Sequence, residues 1–546
     1  MPVAERRIVA GRETVAGGTV LYRALLLLSL AALLTVGVAG ASAAAPGLGP
    51  RGWAPGTVGV HLSAAVVTGM LWPAYLLGAG AVGWGLLRPT VRVPHPHWTM
   101  ALGVAALLSC PFGSADHTNY AAYGRIAAQG GDPYLVPPVT WAGGHDPVAG
   151  AVEPPWTMTP SIYGPFATAL QAGASLAGGD NLRQTVWVWQ LLVVAAWLSV
   201  RAILLRVATD GHERRRVDLL WTWNPVLFGV AVLGAHVDVL ACALALAALL
   251  LAPRAAPAAG AVLGLVVSTK VTYAVVGLAV LWSWRGLGRR DGVRRATALV
   301  LGSVAVALPL HLWAGPHVFD QLLRVRRSVS LATPWRVAVE LLTGPLPSST
   351  VRTLVSVAAV VVTAALAAAL ALVVAAAGRA AVLPWSSAAL LDGPGRSELT
   401  ASLRATFVLG TAYAIGAPYS LPWYDTLTWA TLPLVAATAL DGVLLARFTV
   451  MALAYVPGRV VGLTPGVQDL TLGIRREVAP YAGLLAWALI ASIARRAWER
   501  PSSASRIPRG SPGPSRDGRP SRDALAPGAG WPVRRRGRPR PRVPGR

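Results

Sequence analysis

The segment Gly113-Ser114-Ala115-Asp116-His117-Thr118-Asn119-Tyr120-Ala121-Ala122-Tyr123-Gly124-Arg125 sets a cluster of polar side chains inside an otherwise apolar chain. If Asp116 to Ala128 is helical, Asp116, Asn119, Tyr120 and Tyr123 share one face at i, i+3, i+4 and i+7. A carboxylate ringed by tyrosine and asparagine suits a sugar. Aromatic rings cover its C–H faces, amides pair with its hydroxyls, and the acid accepts a proton. The same residues also suit Asp116 as the N-cap of an interfacial helix, with Tyr120 and Tyr123 as aromatic-belt residues, and the sequence leaves both open. Arg125 falls on the opposite face, toward lipid headgroups. Downstream, Gly131-Asp132-Pro133-Tyr134 reads as a turn. Asp132 is the rival base, with Tyr134 beside it as a candidate substrate contact; Asp146 and Glu153 are weaker bases. Tyr163-Gly164-Pro165 opens a further helix, which serves equally as an interfacial helix start or a substrate contact.

More ionisable residues stand in apolar surroundings. His236 and Asp238 fall at the tip between two hydrophobic runs. Such residues are candidates for function, with helix capping as the plainer alternative. One His and one Asp are too few for a metal site, so no metal or other cofactor is expected. Lys270 is the only lysine in the chain. It also lies near a tip, where snorkelling to the interface is the competing explanation. Arg324, Arg326 and Arg327 suit the phosphate of a lipid carrier, which guanidinium groups grip bidentately, or ordinary phospholipid headgroups. Asn224-Pro225 reads as a helix break. Tyr419, Pro422, Trp423 and Tyr424 form an aromatic cluster, placed for belt packing or for stacking on a sugar.

The elements that position these groups follow from composition. Of 546 residues, 54% are hydrophobic and 13% charged, where a soluble domain carries about a quarter charged. The expectation is an all-α polytopic membrane protein. About fourteen spans are predicted, at 24–42, 58–87, 98–113, 185–206, 217–234, 237–252, 258–270, 272–285, 296–313, 351–377, 402–416, 426–446, 447–459 and 479–496. The first is read as an uncleaved signal anchor. The positive-inside rule puts residues 1–23, Arg214-Arg215-Arg216, Arg285 to Arg295, Arg379 to Arg404 and the C-terminal tail in the cytoplasm. Arg475-Arg476 then falls outside. Residues 163–177 become a re-entrant or interfacial helix in the first large outer region, which opens with the loop 113–161. A second large outer loop covers 313–350. Runs 258–270 and 272–285 are short and meet near Lys270, which is tolerated only where protein or a watery cavity shelters the backbone.

Net charge is +25, but the residues from Glu499 onward hold 13 Arg against 3 acids. Pro, Gly, Ser and Arg cannot build a core, so 497–546 reads as a disordered cytoplasmic tail that meets anionic lipid rather than nucleic acid. Cys110 and Cys242 both lie in apolar runs and imply no disulfide framework.

Taken in order, Asp116, Tyr120, Tyr123-Gly124-Arg125, Gly131-Asp132-Pro133-Tyr134, Tyr163-Gly164-Pro165, Asn224-Pro225, Gly234-Ala235-His236-Val237-Asp238, Lys270 and Pro422-Trp423-Tyr424 resemble the polytopic glycosyltransferases of the GT-C fold. The order is most similar to the actinobacterial polyprenol-phosphate-mannose-dependent α-(1→6)-mannosyltransferases, over roughly Gly113 to Trp429. His236-Val237-Asp238 stands where that family commonly reads His-Asn-Asp. The resemblance implies a GT-C-like bundle in the cell membrane with its active site on the extracytoplasmic face. It implies a polyprenyl-phosphate-linked sugar donor, a glycan or glycolipid acceptor, and single displacement with inversion. Asp116 would be the base. Asn119, Tyr120, Tyr123, Asp132, Tyr134, Tyr163, His236, Asp238 and Tyr424 would bind substrate; Lys270, Arg324, Arg326 and Arg327 would meet the donor phosphate. A secondary transporter or lipid flippase is the rival reading, but no internal repeat is visible and the polar residues gather in loops.

Overall fold

The computed structural model describes residues 3–380 and 394–499. The predicted tail from residue 500 onward and part of the predicted Arg379–Arg404 cluster lie outside the described residues. All regular structure among the described residues is helical. Six of the described helices are long and apolar enough to cross a membrane: Gly17–Ala39, Ala64–Leu87, Leu182–Val207, Arg289–Ala314, Ser348–Gly378 and Pro465–Glu499. A further pair, Gly211–Leu233 and Val237–Leu251, passes that test together but is bent by 110° at its break. Ala256–Val267 and Val271–Ser283 are shorter, as expected of the runs that meet near Lys270.

Helix starts are set by local capping chemistry. Side-chain oxygens of Ser63, Asn181 and Asp210 accept from Val66 N, Gln184 N and Glu213 N, satisfying donors that a first turn leaves unpaired. Asn224 accepts from Val226 N and Leu227 N ahead of Pro225, so the predicted break there is a built helix start.

Several predicted spans have different boundaries, among them 98–113, 426–446 and 447–459. The 98–113 run is helical only over His97–Leu108, because Pro111 cannot donate and Gly113 takes a positive φ of 85°. The 426–446 run is not one helix. Its chain is helical from Pro422 to Leu434, turns, and resumes at Leu440–Ala454. Pro433 has no N–H to continue the ladder, and Arg216 donates to the carbonyls of Leu432 and Pro433 at 3.1 and 3.3 Å.

That turn belongs to one end of the bundle. There Arg216 also pairs with Asp441 at 2.6 Å, and both side chains are buried. Arg215 donates to the carbonyls of Gly85 and Val91, and Arg295 pairs with Glu398 at 2.7 Å. The 15-residue helix Leu440–Ala454 rises from this end and covers about 22 Å at 1.5 Å per residue. At its far end Tyr455 meets Trp423, and Arg459 binds Glu153 and the carbonyls of Ser42 and Ala45. Gly113 N donates to Ala44 O there at 2.9 Å. The polar first-loop segment, the 234–238 tip and the 417–425 turn therefore share the end opposite the Arg214–Arg216 cluster.

Asp441→Asn leaves the buried Arg216 without its counter-charge and is expected to cost about 3–5 kcal/mol. The readout is a fall in the thermal unfolding midpoint of the detergent-solubilised protein. An unchanged midpoint would show that this pair does not fix the turn.

Candidate active site

Asp116 is the first residue of the helix Asp116–Ala128, and Ala115 precedes it without any side-chain cap. Its carboxylate is therefore not spent on capping, which removes the plainer account of it. Oδ2 lies 3.5 Å from His236 Nδ1. The same ring nitrogen stands 3.5 Å from Tyr120 Oη, and His236 Nε2 is 3.4 Å from Ser114 Oγ. His236 is flattened against Trp423, with ring centroids 3.8 Å apart and planes 14° from parallel. Burial pushes the Asp116 carboxyl up to about 7, with Lys270 opposing the rise and Asp238 adding to it. A carboxyl so placed exchanges a proton near neutral pH.

The tip carrying His236 is held from several sides. Trp189 Nε1 donates to Ala235 O at 2.8 Å, and Phe112 N donates to Leu233 O at 3.2 Å. Asp238, two residues on, accepts from Lys270 Nζ at 2.7 and 2.9 Å through its two oxygens. Tyr273 Oη donates to Asp238 O at 3.1 Å, and Lys270 Nζ stands 3.8 Å from the Tyr424 ring centre. The lysine is thus a paired cation facing an aromatic ring rather than one snorkelling to the surface. A pocket lined by Asp238, Tyr273, Gly410, Tyr413, Tyr424 and Leu427 lies beside the pair.

Tyr163-Gly164-Pro165 links the first loop to Lys270. The helix it opens, Pro165–Gly178, has first-turn N–H groups that need acceptors. Gly164 N donates to Thr269 O and Phe166 N to Ser268 O, at 3.1 and 2.7 Å. A Cβ on Gly164 would stand 2.3 Å from Ser268 O, so only glycine permits this approach. Gly124 plays the same part between helices, since its Cβ would meet Gln171 O at 2.2 Å. The face predicted on the first-loop helix is real. Tyr120 and Tyr123 both pack on Tyr163, at 5.0 and 6.3 Å between centroids, and the carbonyl oxygen of the Asn119 side chain is buried without a partner.

Other candidates are placed elsewhere. Asp132 Oδ1 accepts from Tyr134 N at 2.8 Å, forming the predicted turn, and Tyr134 Oη bonds Thr168 Oγ1 at 2.8 Å. Asp146 is held by Arg125 Nε at 2.8 Å, and Glu153 by Arg459. Arg125 meets Asp146 and Asp180 instead of headgroups. Arg324, Arg326 and Arg327 are exposed at and after the short helix Asp320–Val325. Among the described residues, no hydrogen bond or ion pair ties them to the Asp116–His236–Lys270 cluster, and no three His, Cys, Asp or Glu side chains group closely enough to hold a metal ion.

Several contributors were not singled out from sequence. Trp189 and Tyr273 lie inside apolar runs, where nothing marks an aromatic ring as a hydrogen-bond donor to a distant tip. Tyr455 lies beyond the stretch that carries the resemblance.

Residues 18–286, which contain Asp116, His236, Asp238 and Lys270, match the family described as "Alpha-(1->6)-mannopyranosyltransferase, N-terminal domain". The match covers just under half of the chain. The chain is 32% identical over 189 residues to a probable alpha-(1->6)-mannopyranosyltransferase of Mycolicibacterium smegmatis, covering 34% of this chain and 32% of the relative. It is 27% identical over 226 residues to alpha-(1->6)-mannopyranosyltransferase A of Mycobacterium tuberculosis, covering 40% of this chain and 42% of the relative. The chain thus spans less than half the length of these curated relatives. No solved structure matches it.

Lys270→Met would leave the buried Asp238 charge unpaired, at an expected cost of about 3–5 kcal/mol, whereas adding Asp238→Asn should recover much of that loss. Thermal unfolding of both variants in detergent checks this. Equal losses in the single and double variants would show that the pair is not a coupled unit.

Proposed function

We propose that the chain is an inverting membrane glycosyltransferase. It moves a mannosyl residue from a polyprenyl-phosphate carrier to a glycan or glycolipid acceptor at the extracytoplasmic face, forming an α-(1→6) linkage. The observation that carries this reading is the uncapped Asp116 carboxylate, set against His236 in an aromatic enclosure with Lys270 nearby, within the stretch that matches the mannopyranosyltransferase family.

Asp116 takes the proton of an acceptor hydroxyl as that oxygen attacks the anomeric carbon. The bond from that carbon to the carrier's phosphate oxygen breaks, its electron pair leaves with the phosphate, and a β-phosphate link becomes an α-glycoside. His236, pressed on Trp423, orients the carboxylate. Lys270, fixed by Asp238, contributes positive potential toward the leaving group. Arg324, Arg326 and Arg327 form a basic rim that meets the carrier's phosphate as it approaches from the bilayer. Trp423 and Tyr424 offer faces on which a sugar ring stacks.

The two-ended arrangement supports the extracytoplasmic placement. Arg214–Arg216 and Arg295 lie at the end opposite the site, as the positive-inside rule requires of a cytoplasmic end. On this reading the fourteen expected spans alternate between the ends, with Pro422–Leu434 and Leu440–Ala454 as separate crossings. The Pro165–Gly178 helix lies within the outer region.

Membranes containing the chain, given polyprenyl-phosphate-mannose and a short α-mannoside, should extend the acceptor. Absence of transfer from every polyprenyl-phosphate sugar would overturn the reading. Asp116→Asn should lower transfer by about a hundredfold or more, since general-base catalysis contributes about 10²–10⁴, while protein level stays unchanged.

The pH dependence has a definite sign. A carboxyl raised to about 7 is protonated on the acid side and cannot accept the acceptor's proton there. The rate should therefore climb from pH 5 toward a plateau above about 7 to 8. A profile already flat at pH 5 would exclude Asp116 as the base.

A further inference from the structure

The cations around the site are almost all committed. Lys270 is held by both oxygens of Asp238, Arg447 by Asp425, Arg459 by Glu153, and Arg125 by Asp146 and Asp180. Arg475 is not, and among the described residues neither are the exposed Arg324, Arg326 and Arg327. The Nε of Arg475 donates to Ala454 O at 3.0 Å, and its guanidinium carbon lies 4.2 Å from the centre of the Tyr455 ring. Among the described residues no carboxylate pairs with it, and its two terminal nitrogens make no hydrogen bond.

Its position connects to the proposed base through three intervening side chains. Tyr455 sits edge-on to Trp423 with centroids 6.2 Å apart, Trp423 stacks on His236, and His236 meets Asp116. Arg475 therefore stands beyond the last ring of an aromatic wall that starts at the carboxylate. It is carried by a wide helical turn, Ile474–Val478, of the kind that recurs at functional sites. The wall also touches the second outer loop. Ala332 packs in one cluster with Met451, Ala454, Tyr455 and Ile474, and Ser330 N donates to Pro418 O. The exposed Arg326 and Arg327 lie just upstream of those residues.

On the reading of the site as a lipid-phosphate-sugar transferase, we infer that Arg475 is the seat of the donor's phosphate. A glycosyl phosphodiester carries one negative charge, and the phosphate gains a second as its bond to the sugar breaks. Lys270 is already balanced by Asp238, and Asp116 adds negative charge, so the enclosure needs a cation with free donors. The stack on Tyr455 and the bond to Ala454 fix the plane of the Arg475 fork, which leaves its outer edge for two parallel hydrogen bonds to phosphate oxygens. This also gives a reason for arginine at 475 on the end opposite the basic cytoplasmic clusters.

The test is direct binding of farnesyl phosphate, with farnesol as the uncharged control, to the full chain in detergent. The wild-type protein should prefer farnesyl phosphate to farnesol. Arg475→Gln retains a donor for Ala454 O and guards against loss of folding. It should weaken farnesyl phosphate binding by about tenfold to a hundredfold, the range for a hydrogen bond to a charged group, and leave farnesol binding unchanged. Arg475→Lys, which keeps charge but not the fork, should fall between. Wild-type affinity for farnesyl phosphate in Arg475→Gln overturns this inference alone. A wild-type protein that does not distinguish farnesyl phosphate from farnesol overturns the lipid-phosphate reading as well.

Discussion

Interrupted helices in an apolar protein must find partners for the backbone groups that each interruption frees. An unsatisfied N–H or C=O in hydrocarbon costs several kcal/mol, so breaks persist only where they complete one another. That constraint builds this site. The break at 234–236 offers carbonyls of Leu233 and Ala235, taken by Phe112 N and Trp189 Nε1. The break before Lys270 offers carbonyls of Ser268 and Thr269, taken by the first N–H groups of the Pro165–Gly178 helix. Loop, tip and helix start are thereby tied together, and the polar side chains they carry arrive in one place as a result.

The electrostatics follow from the same enclosure. A buried charge survives only with a partner, and the pairs Lys270–Asp238 and Arg447–Asp425 obey that rule. Asp116 does not: it faces a histidine, whose same ring nitrogen meets the Tyr120 hydroxyl, instead of a fixed cation. Burial raises its carboxyl to about 7, which suits it to move a proton at neutral pH. Asp132, Asp146 and Glu153 are each taken up instead by a turn or by an arginine. What separates the base from its rivals is therefore the set of partners each carboxylate has.

This explains which features could be read in advance. The helix face of Asp116, Asn119, Tyr120 and Tyr123 follows from local periodicity, and the breaks at Asn224, His236 and Lys270 follow from polar residues in apolar runs. Alternatives that differ only in partners were not separable. Whether Asp116 caps a helix, or Lys270 snorkels, depends on residues more than a hundred or some thirty positions away. The error at 426–446 has the same origin. Pro433 hinted at an interruption, but the turn is fixed by Arg216, whose partner Asp441 lies 225 positions along the chain. Periodicity carries no information about such distant pairs.

The two parts of the chain also divide the work unequally. Asp116, His236, Asp238 and Lys270 all lie within residues 18–286, which match the family's N-terminal domain. Trp423, Tyr424, Tyr455 and Arg475 lie beyond it and supply the aromatic faces and an unpaired cation. They are set by the Leu440–Ala454 helix, whose near end is held by Arg216 in the matched stretch and whose far end leads directly into Tyr455. A substitution at the Arg216–Asp441 pair would thus reach the site along a helix of about 22 Å, shifting Tyr455 against Trp423 and, through the stack on Trp423, His236 against Asp116. The proposed base and the aromatic faces are in that sense coupled through His236, whereas Lys270 keeps its own partner in Asp238.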